Sequence, residues 1–312
     1  DFTKTPIRCT QNPTMGEEWR KGWHPERIPP AASGDAVLIV GGGPAGLECA
    51  RALGQRGYPV TVAEAGDALG GRVRLESRLP GMASYMRVAD YRLAAFQNQP
   101  NVATYLDSAL SADDVIAYDA AHVVLATGAT WRRDGVGKNQ RLPLAIPESA
   151  PAIYTPDDIM AGAAPADGPV LVYDDDGYIM AGLIAEKLAR DGRDVTFMMP
   201  HSVVSPWTEM TLEQYAIQRR LLEAGVTILS GRRLTAQDGA VRHACVYTDA
   251  EAELAAAAVV LVTSRISNDG LWRELQARAE AGDVPWRTLT RIGDALAPAT
   301  VAHAVYAGHR YA

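Results

Sequence analysis

Three glycines, Gly41, Gly43 and Gly46, stand at GxGxxG spacing with Pro44 and Ala45 between the last two, inside Val37-Leu-Ile-Val-Gly-Gly-Gly-Pro-Ala-Gly-Leu-Glu48. Such spacing serves the seating of a diphosphate. The first glycine permits a tight turn, the second lets backbone approach a pyrophosphate, and the third lets the following helix pack closely on its strand. The free N–H groups and positive dipole end of that helix then face the phosphates. Glu64, followed by Ala65, comes eighteen residues after Gly46. A carboxylate there accepts both hydroxyls of a ribose and repels a 2′-phosphate. Gly70-Gly71-Arg72 adds backbone N–H groups and a guanidinium suited to the same pyrophosphate.

These groups need a strand, a turn, a helix and a second strand to hold them, and the sequence supplies the set. Val37–Val40 reads as a fully buried parallel strand, while Leu47, Ala50, Ala52 and Leu53 give the next segment helical spacing up to about Gly57. A second strand carries Val60, Val62 and Ala63 up to Glu64. Val102–Tyr105 follows as a strand and Ala112–Tyr118 as a helix. His122–Ala129 is a strand ending in Ala126-Thr127-Gly128, where a crossing to another domain is expected.

The pattern then returns. Val170–Tyr173 is a strand, Ala181–Leu188 a helix, Gly192 its stop and Val195–Met199 the next strand, but the turn reads Asp174-Asp175-Asp176-Gly177-Tyr178. A carboxylate about 6 Å from a phosphate charge costs on the order of 3 kcal/mol at an effective dielectric of 20, so this turn is expected to refuse pyrophosphate. The aspartates are expected to cap the helix N-terminus themselves, and a magnesium-bridged site is the weaker alternative. Leu212–Ala224 reads as a helix, Val226–Leu229 as a strand, and Arg242–Thr248 with Leu254–Thr263 as the completion of a second sheet. Arg291-Ile-Gly-Asp-Ala295 and a helix from about Thr300 return to the first domain, where Asp294 would reach a ribityl or ribose hydroxyl.

The fold class expected is α/β, with two Rossmann-like domains of the disulfide-reductase type, the second inserted in the first. Residues 34–165 with 287–312 form the nucleotide-binding domain, and residues 166–286 an NAD-like domain with a degenerate site. Residues 1–33 hold Pro6, Pro13, Pro25, Pro29 and Pro30, together with Trp19, Trp23 and His24. They read as an extended arm whose apolar area packs against a part of the protein absent from this sequence.

Composition narrows the class. With 312 residues the chain exceeds a usual single core, and 47% hydrophobic with 21% charged residues is a globular balance. A net charge of −7 gives no reason to propose nucleic acid or an anionic membrane as a partner. No apolar run approaches the length of a membrane span. Cys9, Cys49 and Cys245 form no disulfide framework, so a cytoplasmic setting is expected. The six histidines lack metal-ligand spacing, no nucleophile elbow occurs, and no residue is assigned a catalytic role.

Taken together, Gly41–Glu64, Gly70-Gly71, Ala126–Gly128 and Gly293-Asp294 resemble the flavin disulfide-reductase-like half of old-yellow-enzyme-related oxidoreductases, dienoyl-CoA reductase among them. Three details sharpen the match: Cys9-Thr-Gln-Asn-Pro-Thr-Met-Gly-Glu-Glu-Trp19 with Gly22-Trp-His-Pro25, Tyr173-Asp-Asp-Asp176, and Ser205-Pro-Trp-Thr208. They are similar to the histamine, trimethylamine and dimethylamine dehydrogenase family. The resemblance implies an N-terminal FMN barrel that oxidises the amine, a [4Fe–4S] cluster, and electron-transferring flavoprotein as acceptor. It implies a homodimer, and ADP bound structurally where relatives with a working nicotinamide site bind FAD. Cys9 maps onto the fourth cluster cysteine, and the other three would precede Asp1, so the chain looks like the C-terminal part of a longer or nicked polypeptide. The amine's pocket would belong to the barrel; the face for the acceptor protein is left unassigned, with the loop Pro80–Arg87, which carries Tyr85 and Arg87, as one candidate. Gly41, Gly43, Gly46, Glu64, Gly70 and Gly71 carry the nucleotide-binding role over, as do Arg72, Thr127 and Asp294, for which packing and turn geometry is the competing reading. Two alternatives stay open: an FAD-binding NADH-dependent reductase, and a non-catalytic ADP-binding module.

Overall fold

A computed structural model describes residues 8–23, 26–146, 151–237, 240–282 and 284–312. Pro6, His24, Pro25 and Pro147 lie outside the described residues. The chain divides into two units, one running to Ser77 and continuing through Met82–Ala129 and Ser267–Ala312, the other comprising Arg78–Gly81 and Thr130–Ile266.

The first unit holds α1 (Glu18–Lys21), β1 (Val37–Val40), α2 (Pro44–Arg56), β2 (Val60–Ala63), α3 (Arg72–Glu76), α4 (Arg87–Phe96), β3 (Val102–Tyr105), α5 (Ala112–Tyr118) and β4 (His122–Leu125). The chain crosses through β5 (Ala129–Trp131). The second unit then carries β6 (Ala152–Tyr154), α6 (Pro156–Met160), β7 (Val170–Asp174), α7 (Ile179–Arg190), β8 (Val195–Met198), α8 (Gln214–Glu223), β9 (Thr227–Leu229), β10 (Arg232–Gln237), β11 (Ala240–Cys245), β12 (Glu251–Glu253) and β13 (Ala258–Val262). After β14 (Arg265–Ser267), α9 (Gly270–Glu280), β15 (Thr288–Arg291) and α10 (Val301–Tyr311) complete the first unit.

Each unit is built on a five-stranded parallel sheet, ordered β15-β4-β1-β2-β3 in the first and β6-β13-β7-β8-β9 in the second. β1 is apolar throughout because helices cover both its faces. Val37 and Ile39 pack with Cys49, Ala50 and Leu53 of α2, while Leu38 and Val40 pack with Val115 of α5 and Leu275 of α9.

The structure moves both expected domain boundaries. The chain crosses at 129/130 and 266/267, whereas the sequence places the boundaries near 165 and 286. Residues 130–165 look like a proline-rich linker, yet β6 within them pairs with β13 of the second sheet. α9 belongs to the first unit because Leu275 joins its core. Arg242–Thr248 does not complete the parallel sheet, since β11 forms a separate antiparallel sheet with β10 and β12.

The described part of the arm packs on the first unit itself. Trp23 meets the His309 ring edge-on at 5.1 Å, the Arg8 guanidinium stands 3.9 Å from the centroid of Tyr306, and the Ala31 N–H donates to the Arg56 carbonyl at 2.7 Å. Trp19, by contrast, is 91% exposed.

A buried ionic cluster joins α2, α4 and α10. The Glu48 carboxylate, 0% exposed, accepts from Arg51 Nη2 at 2.6 Å, Arg92 Nε at 2.8 Å and His309 Nδ1 at 3.0 Å. Glu26 of the arm faces His309 Nε2 at 2.5 Å, so the ring donates from both nitrogens only as the imidazolium. Burial works to raise the Glu48 pKa, but the bonds from His309 and Arg51 and the charges of Arg51 and Arg92 prevail and lower it to about 2. For His309, burial works downward, yet the two carboxylates raise its pKa above the usual histidine value.

The signs of these shifts give opposite slopes. Glu48's contribution is complete above its unfolded value of 4.5 and is lost as pH falls toward about 2. His309's contribution is complete below its unfolded value of 6.5 and is lost as pH rises through its raised folded value. For the first unit, denaturant unfolding across pH is therefore expected to show a plateau between these limits. The alkaline decline should be missing in His309→Gln, and Glu48→Gln should destabilise the first unit by about 3–5 kcal/mol through the buried cations it strands. An alkaline slope unchanged in His309→Gln would contradict this account.

Candidate nucleotide-binding site

In the first sheet the chain leaves β1 toward β2 on one side while β4 returns on the other. The carboxyl ends of β1 and β4 therefore form a topological switch point, where ligands of open α/β sheets bind. Gly41 (φ 110°) ends β1 there, and a Cβ on it would stand 2.4 Å from the Ala126 carbonyl oxygen. A Cβ on Gly46 would stand 2.0 Å from the Gly41 carbonyl oxygen, so a side chain at either position would drive α2 off the sheet. Gly43 differs: its φ of −77° and ψ of −176° suit any residue, and a Cβ there meets nothing within 4 Å. It is the N-cap of α2, Pro44 opens the first turn, and no side chain caps the helix end. An open face before an uncapped thirteen-residue helix accommodates an anion.

Glu64 closes the turn from the side of β2. Its Oε2 accepts the Gly42 N–H at 2.7 Å and its Oε1 the Gly66 N–H at 2.8 Å, and each oxygen keeps acceptor capacity for a hydroxyl. Ala65 beside it is exposed. The Gly70 N–H donates to the Gly42 carbonyl at 2.8 Å, and Gly71 (φ 51°) lies so near that a Cβ on it would stand 3.0 Å from Gly43 Cα. Gly41, Gly43, Pro44, Ala45, Gly46, Glu64, Gly70 and Gly71 thus converge on one turn.

The other expected residues are placed by backbone ties. Arg72 Nη2 donates to the Ala129 carbonyl at 2.7 Å. Thr127 Oγ1 donates to the Asn268 carbonyl at 2.7 Å, and the Asn268 N–H donates to the Gly128 carbonyl at 2.9 Å. Asp294 Oδ1 accepts the Ala299 N–H at 3.0 Å, while a Cβ on the preceding Gly293 would stand 2.7 Å from that of Ala45, which sets the Gly293-Asp294 pair beside the start of α2. Sequence reasoning missed Gly42, Gly66 and Asn268; only Gly42 carried a signal, as the middle of a glycine run.

Cys9 lies outside this turn. It is a half-buried free thiol whose sulfur accepts the Gln11 N–H at 3.4 Å. Among the described residues no group of three or more His, Cys, Asp or Glu side chains is arranged to hold a metal ion. A cavity of about 480 Å³, lined in part by Gln11, Glu26, Arg51 and Tyr91, lies between the arm, α2 and α4 rather than at the glycine turn.

The equivalent turn of the second unit is occupied by its own side chains. The Gly177 N–H donates to Asp174 Oδ1 at 2.8 Å, and α7 has Tyr178 as its N-cap with no side-chain cap. The expected capping of this helix by aspartate is therefore not what forms. Asp175, fully buried, accepts from the Asn139 N–H at 3.0 Å, Asn139 Nδ2 at 2.5 Å and the Gln140 N–H at 3.1 Å. Lys138 pairs with Asp176 at 3.6 Å and lies 5.2 Å from the Trp207 ring centroid. Burial pushes the Asp174 pKa up to about 8, with Asp176 and Asp175 adding to it against the Gly177 hydrogen bond. Burial thus favours the neutral form of the Asp174 carboxyl, while Asp175 is held by three donors and Asp176 faces Lys138, so the turn is closed by occupancy as well as by charge.

The fold defines an α/β architecture of two Rossmann-like units, the first with an open glycine turn. Residues 39–109 match the NAD(P)-binding Rossmann-like domain and residues 154–259 the OYE-like second alpha/beta domain. The chain is homologous to the histamine and dimethylamine dehydrogenases. It is 35% identical to dimethylamine dehydrogenase of Hyphomicrobium sp. (strain x), over 98% of this chain and 45% of that protein. Histamine dehydrogenase from Rhizobium sp. 4-9 superposes with a TM-score of 0.93 at 48% identity, over 97% of this chain and 47% of that one. The 6-hydroxypseudooxynicotine amine oxidase from Pseudomonas geniculata N1 gives 0.91 at 46% identity, over 97% and 45%. These relatives are oxidoreductases, and the chain spans somewhat under half their length. No helix among the described residues is long and apolar enough to cross a membrane.

The raised pKa of Asp174 has a measurable consequence. Its folded pKa is raised, so its contribution is complete below 3.8 and is lost as pH rises through about 8. Asp174→Asn keeps an acceptor for Gly177 without this loss and is expected to raise Tm at pH 7 by a few degrees, flattening the pH dependence of unfolding. A lower Tm with an unchanged slope would show that Asp174 is ionised in the fold.

Proposed function

We propose that this chain is the ADP-binding C-terminal part of an iron–sulfur flavoprotein amine dehydrogenase, acting in the cytoplasm. The observation that carries the reading is the contrast between an open glycine turn in one unit and a turn filled by its own side chains in the other. In the first, the N–H groups at the start of α2 and at Gly70-Gly71 would hold the diphosphate and Glu64 the ribose. In the second, Asp175 and the 138–140 loop leave no seat for a dinucleotide, so a flavin at the first turn would have no nicotinamide to reduce it. That favours ADP held structurally over FAD.

The amine dehydrogenase assignment draws on the homologues' names and on Cys9. Its sulfur, half-buried and met by a backbone N–H, fits one ligand of a [4Fe–4S] cluster. FMN and the cluster would supply amine oxidation and one-electron exit, with the FMN barrel as covalent neighbour and electron-transferring flavoprotein as acceptor. This chain's own residues bind the nucleotide, orient Cys9 and present surface for assembly as a homodimer.

Mass spectrometry of nucleotide released on denaturation tests the reading. ADP without flavin absorbance is expected, and Gly43→Val should fold normally yet lose it, because that side chain fills the open face without meeting protein. Released FAD together with NADH oxidation would overturn it in favour of the reductase. Upstream sequence without three cluster cysteines would reduce it to an ADP-binding module.

A further inference from the structure

Arg92 is 0% exposed, an unusual setting for a guanidinium, and each arm of its fork has a different task. Nε donates to Glu48 Oε2 at 2.8 Å, Nη1 to the Val88 carbonyl at 2.7 Å, and Nη2 to the Gln11 carbonyl at 3.4 Å. Gln11 is the residue whose N–H points at Cys9 Sγ. The loop beyond is pinned as well. Asn12 Oδ1 accepts from the Thr14 N–H at 3.0 Å and Thr14 Oγ1 at 2.8 Å, and the buried Glu17 accepts from Arg8 at 2.5 Å and Arg20 at 2.6 Å.

We propose that Arg92, fixed by Glu48, is the positioning residue for Cys9: it holds Gln11 so that the N–H of that residue meets the cysteine sulfur. The proposal rests on the reading of Cys9 as a cluster ligand and adds how the ligand is aimed. An N–H donated to a thiolate stabilises its negative charge, and hydrogen bonds to ligating sulfurs are among the determinants of a cluster's potential. Glu48 sits two residues after Gly46 in α2, so the same helix offers its N-terminus to the diphosphate and, through Arg92, its flank to the cysteine loop.

Arg92→Lys is the informative variant. Lysine keeps the charge beside Glu48 but, as a compact ammonium, cannot bond Glu48, Val88 and Gln11 together. On this chain, amide exchange at Gln11 is expected to quicken by at least about fivefold, as is peptide-resolved alkylation of Cys9, because a loop no longer held by Arg92 exposes the half-buried sulfur to reagent, with Cys245 alkylation and bound nucleotide unchanged. Arg92→Gln should do the same at a cost in stability. In the longer enzyme carrying the cluster, its loss of positive charge should move the cluster potential to more negative values. Exchange at Gln11 and alkylation of Cys9 that match the parent in folded Arg92→Lys would overturn the positioning role. An absence of iron from the longer enzyme would instead overturn the cluster reading, an outcome the alkylation measurement tells apart.

Discussion

The first unit depends on a steric constraint at one turn. The Gly41 carbonyl occupies the space a Cβ on Gly46 would need, and the Ala126 carbonyl occupies that of Gly41. This packing brings α2 down onto the end of β1 and leaves its first N–H groups facing outward instead of against protein. Glu64 and Gly70 then attach by hydrogen bonds to Gly42, at the centre of the turn. A similar contact recurs along α2, where a Cβ on Gly308 of α10 would stand 2.2 Å from the Ala45 carbonyl. Glycine at these positions lets two helices and two strands converge, and Gly43 alone of the motif is kept bare on its open side.

The second unit repeats the strand order and removes the opening. Asp175 binds the backbone of the 139–140 segment, and a Cβ on Gly177 would come within 3.3 Å of His201, Trp207 and Pro206. Repulsion between carboxylate and phosphate, which the residue types suggest, is weakened to the extent that burial favours the neutral form of Asp174. Added to it is exclusion by volume and by the hydrogen bonds that Asp175 already makes. This stands up to salt better than charge repulsion, which ions screen.

Much of the β1-α2-β2 frame and its echo at β7-α7-β8 was legible in the sequence, because buried parallel strands and glycine turns leave short-range signatures. The converging residues Gly41 to Gly46, Glu64, Gly70 and Gly71 were legible for the same reason. Elements whose defining contact is long-range were not. α4 was missed because its buried face includes Arg92, which a periodicity argument counts as surface. α9 buries only Leu275, too little for an apolar stripe. β6 sits among prolines, and only its pairing with β13 shows that the second unit has begun.

The same blindness covers the ionic cluster, and it explains why the glycine turn and the cysteine loop look independent in the sequence. Glu48 follows the motif by two residues and would be assigned to solvent by type. Burial changes its part, because a carboxylate out of water is stable only if cations and donors replace the lost hydration. Arg51, Arg92 and His309 do so from α2, α4 and α10, and His309 and Arg92 each spend a remaining donor on the arm, at Glu26 and at Gln11. Removing the carboxylate would leave three cations facing one another with little water to screen them. The arm is thereby held by the charge balance of the helix that follows the glycine turn, so the position of Cys9 and the seating of α2 are set by one buried group.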